Sequence, residues 1–85
     1  MKINVKYLIF DLPPGFGDAQ FELKKGATVT DVFDASLELF VERKVSMNEK
    51  ELRTAIVMRS GKWVSPDDSL SDGDALIILR PMDGG

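Results

Sequence analysis

The chain contains no cysteine and no histidine. The first absence excludes disulfides and thiolate nucleophiles, the second excludes an imidazole base, and together they exclude zinc sites of the usual kind. Small size without such staples leaves good packing, or a partner, to hold the fold. No apolar run approaches the ~20 residues of a membrane span. Met1-Lys2 leads into a strand-like alternation and not into a secretory leader, so a cytoplasmic location and no membrane partner are expected. Basic residues are outnumbered, 11 against 14 acids, and are scattered along the chain. A basic stripe for phosphates is missing, which argues against nucleic acid as a partner. Repeats, linkers and low-complexity segments are absent as well. What remains is 85 residues at 44% hydrophobic and 29% charged, the composition of one small folded domain.

The pattern along the chain predicts the elements. Residues 2–10 alternate, with Ile3, Val5, Tyr7 and Ile9 on one face and Leu8 and Phe10 ending the other. A Pro- and Gly-rich turn over 12–18 leads to a second strand over 19–23, completing a hairpin. Thr28 and Asp31 have capping-box spacing. The helix that follows carries Val29, Val32, Phe33, Ser36, Leu37, Phe40 and Val41 at helical spacing, with Leu39 off the stripe. Ser46 to Glu49 can cap one further helical turn. Strands are expected over 54–59, 62–64 and 75–79, the last apolar throughout as in a strand covered on both faces. One helix cannot bury its stripe alone, so it must lie across a mixed sheet in which the first and last strands pair centrally.

Motifs for small ligands fail on inspection. Gly15-Phe16-Gly17 begins like a dinucleotide loop, but Gln20 replaces the third glycine and a strand follows where a helix must start. Asp68 to Gly73 resembles a calcium loop only until Leu70 and Leu79, which stand where oxygen ligands are needed. No metal site is expected. The carboxylates are many, but none is set by the sequence in an apolar pocket, and Asp67, Asp68, Asp72 and Asp74 read as a solvated loop.

Chemistry concentrates in Gly84 and Gly85, the final two residues. A terminal glycine carries its α-carboxylate on the thinnest stem and can thread a narrow channel. Adenylation makes that carboxylate an acyl electrophile, and a persulfide attacking it can leave a thiocarboxylate. Neither step needs a base or nucleophile from this chain.

The strand and helix order, the Leu70-Ser71-Asp72-Gly73-Asp74 turn, the apolar run to Leu79 and the tail from Pro81 to Gly85 resemble the ubiquitin-like sulfur carriers. That family includes the small subunit of molybdopterin synthase and the thiamine-pathway carrier. The resemblance covers nearly the whole chain, and its specific part is residues 70–85. It implies an α+β fold, a ubiquitin-like β-grasp with a mixed four- to five-stranded sheet and one main helix, over residues 1–80, and a C-terminal tail over 81–85. It also implies a carrier, not an enzyme, that binds no cofactor. An E1-like adenylating enzyme using ATP activates Gly85, with Gly84 beside it. A sulfur donor enzyme and a sulfur-accepting synthase subunit complete the partners. The Val-Asn turn frequent in the family between its third and fourth strands is replaced here by Val57-Met58-Arg59-Ser60-Gly61.

If Leu76 and Ile78 face the core, Ile77 and Leu79 face the other side, where Leu8 and Phe10 can join them as a partner surface. Arg80 suits a partner carboxylate, and Pro81 and Met82 continue that contact. Trp63 reads as a packing residue. Two further functions share these features: a ubiquitin-like modifier joined to a target through Gly85, and a β-grasp interaction module whose Gly-Gly end is incidental.

Overall fold

The computed structural model describes residues 1–8 and 10–80. Its elements in chain order are β1 (Lys2–Leu8), β2 (Asp18–Glu22), α1 (Val29–Glu42), α2 (Glu49–Arg53), β3 (Ile56–Arg59), β4 (Lys62–Val64) and β5 (Ala75–Leu79). They build a five-stranded sheet of order β2-β1-β5-β3-β4. β1 pairs antiparallel with β2 and parallel with β5, so the first and last strands are the centre, as expected. β5 pairs antiparallel with β3, and β3 with β4. This is the β-grasp arrangement.

Period-two alternation decides which residues meet α1. Ile3, Val5 and Tyr7 of β1, Val57 of β3, and Leu76 and Ile78 of β5 are buried together with Val29, Val32, Phe33 and Phe40 of α1. Val41 departs from the expected stripe and is 77% exposed. It lies about 100° round the helix from Phe40, past the edge of the sheet's footprint. Leu39 is half-buried, off the core stripe as expected.

Local chemistry sets the ends of α1. The Thr28 amide donates to the Asp31 carboxylate at 2.8 Å, the acidic half of the capping box. At the other end Lys44 is left-handed at φ 58°, its N–H donates to the Val41 carbonyl, and the Val45 N–H donates to the Phe40 carbonyl. Those two bonds form a Schellman closure, which redirects the chain toward α2. The short α2 starts at Asn48, whose side chain accepts from the Glu51 N–H at 3.0 Å. Its Leu52 is fully buried. Between β3 and β4 the turn residues Ser60 and Gly61 both have positive φ, at 52° and 77°, the signature of a two-residue hairpin turn whose twist suits its strands.

The acidic loop is structural. The Asp72 carboxylate accepts from the Lys2 N–H, Asp68 from the Ser65 N–H, and Asp74 from the Ser71 N–H while pairing with Arg59 at 3.1 Å. These bonds pin the entry to β5 against the start of β1.

Among the described residues, the Tyr7 and Ser36 hydroxyls make a buried polar contact in the core at 2.6 Å. Burial pushes the Tyr7 phenol from its ordinary 10.0 up to about 12, and the Ser36 hydrogen bond pulls weakly the other way. An unfolded tyrosine ionises near pH 10 and this folded one near 12. The contribution is therefore whole below pH 10 and is lost as pH rises from 10 to 12, by roughly 2–3 kcal/mol in total. Tyr7 is the sole tyrosine, so tyrosinate absorbance of the native protein isolates it, and Tyr7→Phe removes this increment of alkaline sensitivity. A native phenol that titrates near pH 10 contradicts the expectation.

Candidate functional site

Among the described residues no helix lies on the side of the sheet away from α1, so they cover β5 on one face and not on both. Its alternate residues, Ala75 and Ile77, are exposed and Leu79 is half-buried. Register then decides their neighbours. Leu8 lies opposite Leu79, and Leu79 opposite Ile56, a first apolar row across three strands. In the next row Lys6 lies opposite Ile77, Ile77 opposite Met58, and Met58 opposite Trp63. Leu8 and Ile77 are 37% and 38% exposed, and Trp63 is 74% exposed. Trp63 is thus a surface residue at the edge strand, against the packing role expected for it, because its parity on β4 is that of Met58 and not of Val57.

Toward β2 the same face becomes polar. Lys2, Asn4 and Lys6 stand opposite Glu22, Gln20 and Asp18, and the Gln20 amide donates to Asn4 at 3.0 Å. A shallow depression of about 600 Å³ lies across the boundary, lined by Asn4, Lys6, Gln20, Ala75 and Ile77 among others. An apolar field beside a charged margin is the anatomy of a protein-docking surface. Among the described residues no group of three acids could hold a metal ion. No described helix is long and apolar enough to cross a membrane.

Of the expected partner residues, Leu8, Ile77 and Leu79 meet on this face. Phe10 does not join them. β1 ends at Leu8, the alternation stops with it, and Phe10 turns to the core side, where its ring meets Tyr7 edge-on at 6.4 Å. Ile9, expected on the Ile3 face, lies outside the described residues, as do Pro81, Met82, Gly84 and Gly85. Arg80 continues the central ladder: its N–H donates to the Leu8 carbonyl at 3.2 Å. Its guanidinium pairs with Glu51 of α2 at 2.6 Å, a carboxylate of this same chain. Ile56, Met58 and Trp63 extend the apolar field beyond the residues singled out from the sequence. The alternation around Val57 marked Ile56 and Met58 as sharing a face, but only the pairing of β3 with β5 sets them beside Ile77.

No protein-family model matches the chain, and no curated protein does. Solved structures do. The protein from Pyrococcus furiosus assigned as molybdopterin converting factor, subunit 1, superposes with a TM-score of 0.68 at 24% identity, over 96% of this chain and 99% of its own. Small archaeal modifier protein 1 from Haloferax volcanii gives 0.68 at 21% identity, over 95% and 98%. A chain of the complex of subunits 1 and 2 of molybdopterin-converting factor from Helicobacter pylori gives 0.52 at 16% identity, over 100% of both. The chain has the ubiquitin-like β-grasp fold.

Proposed function

We propose that this protein is a sulfur carrier: its Gly85 carboxylate is activated by an E1-like adenylating enzyme and converted to a thiocarboxylate that supplies sulfur to cofactor synthesis. The observation that carries the reading is the apolar open face ending at Leu8 and Leu79, beside the point where the chain leaves β5 toward Gly84 and Gly85. A partner seated on that face lies next to the root of the tail.

The chemistry belongs to the partners, and the chain is a co-substrate, not an enzyme. The Gly85 carboxylate displaces pyrophosphate from ATP to form an acyl adenylate. The outer sulfur of a donor enzyme's persulfide attacks the acyl carbon and AMP leaves. A thiol then reduces the resulting acyl disulfide and frees the thiocarboxylate. The chain itself binds no cofactor in this scheme, which takes place in the cytoplasm. Likeness to subunit 1 of molybdopterin converting factor, and to a chain of the complex of its subunits 1 and 2, favours a molybdopterin-type synthase subunit as sulfur acceptor. A thiamine-type acceptor is next. The match to small archaeal modifier protein 1 favours a second reading, in which the same adenylate ends as an amide on a target protein.

Co-expression with the adenylating enzyme and a sulfur source, followed by thiol alkylation and mass mapping, separates these. The chain has no cysteine, so one alkyl adduct on the C-terminal peptide is expected and identifies the thiocarboxylate. The adduct also excludes oxidation of the four methionines, Met82 of the C-terminal peptide included, which mimics the mass of an oxygen-to-sulfur exchange but creates no thiol to alkylate. Adenylation without any thiol favours the modifier. A carboxylate that no such enzyme activates leaves an interaction module.

A further inference from the structure

Arg80 is held twice. Its backbone N–H is bonded to β1 through the Leu8 carbonyl at 3.2 Å, and its guanidinium to α2 through Glu51 at 2.6 Å. Glu51 is in turn not a loose partner. Its own N–H is bonded to the Asn48 cap, and α2 is anchored by the fully buried Leu52 and by Arg53, which reaches Asp34 of α1 at 2.7 Å and Glu49 at 2.8 Å. Main chain and side chain of residue 80 are therefore tied to opposite walls. A cleft of about 350 Å³ lies between those walls, lined by Phe10, Met47, Glu51 and Arg80 among others.

We propose that Glu51 is a positioning residue: by holding Arg80 against α2 it fixes the heading at which the chain leaves the sheet toward Gly85. This rests on the function proposed above for what the heading serves, though not for the tether itself. Residues 81–85, if extended, reach about 17 Å, so a swing at residue 80 sweeps the terminal carboxylate over many positions, few of them in line with a partner's channel. The Arg80 side chain points to the helix side of the sheet, opposite the apolar face. Glu51 thus controls the tail without occupying the docking surface.

The absence of native cysteines permits a direct test, with nitroxides at Lys24→Cys, an exposed residue just after β2, and at Asp83→Cys. Glu51→Ala keeps a good helix former in α2. It is expected to widen the distance distribution between the labels by about 15%, since releasing the side chain adds residue 80 to the free segment of about three residues that ends at the label, and the spread grows as the square root of its length. Arg80→Ala, and the double variant, are expected to widen it equally and no further, since the two residues act through one contact. An unchanged width in Glu51→Ala, or additive widening in the double variant, overturns the inference. In ATP–pyrophosphate exchange with the adenylating enzyme, Glu51→Ala is expected to raise KM for the carrier about two- to five-fold with kcat unchanged, the scale of one exposed ion pair. A KM that moves only with Arg80→Ala makes Arg80 a direct partner contact and also overturns it. A wild-type chain that supports no exchange counts against the function, and the label distances still decide the role of Glu51.

Discussion

A chain shortened by Gly85 alone is expected to fold as before and to form no adenylate and no thiocarboxylate. The deletion leaves every described strand and helix intact, so thermal stability is unchanged. It still leaves a glycine at the end, so the stem is no thicker. What changes is length: the carboxylate retreats by about 3.3–3.6 Å along an extended tail. Reacting atoms must come within about 3–3.5 Å in line, and a 1 Å misplacement can cost about 100-fold, so one residue removes the reaction. Pyrophosphate exchange and the alkylation assay both read the outcome. Exchange and alkylation retained by the shortened chain would show that the reacting carboxylate need not be that of Gly85 and would overturn the assignment of the chemistry to that residue.

Replacing Ile77 with aspartate is expected to weaken binding to the synthase subunit or the adenylating enzyme about 100-fold, the cost of losing a central apolar anchor. Ile77 joins the apolar row to the charged margin, with Lys6 on one side and Met58 on the other. A carboxylate there must be desolvated by any partner that covers the row. The fold tolerates it better, because Ile77 is 38% exposed and Lys6 stands opposite the new charge. A cost of about 1 kcal/mol for aspartate in a strand lowers Tm by about 4–8 °C. Trp63, the sole tryptophan and on the same face, supplies the readout, since its exposed indole shifts to shorter wavelength when a partner covers it. Gln20→Ala in the polar half is the control, with little change in affinity. Wild-type binding by Ile77→Asp would remove the open face as the docking surface.

Much of this architecture is written in local pattern. Alternation in β1, the Thr28 and Asp31 spacing, and the helical stripe through Val29, Val32, Phe33 and Phe40 depend on neighbours within a few residues, and each appears where the sequence places it, whereas the uniformly apolar β5 shows its two faces only in the fold. The pairing of the first and last strands follows from burial alone. Chemistry at Gly84 and Gly85 is likewise a sequence reading, since those residues lie outside the described structure.

Other features depend on contacts between distant segments. Phe10 turns to the core because β1 stops at Leu8, which alternation extrapolated from residues 2–8 does not show. Trp63 is exposed because β4 is an edge strand whose register sets it opposite Met58. Arg80 meets Glu51 only because the Schellman turn at Lys44 and the burial of Leu52 bring α2 to the end of β5. Periodicity in one segment determines which of its residues share a face. Only the register between segments, set by packing the whole core at once, decides what that face meets.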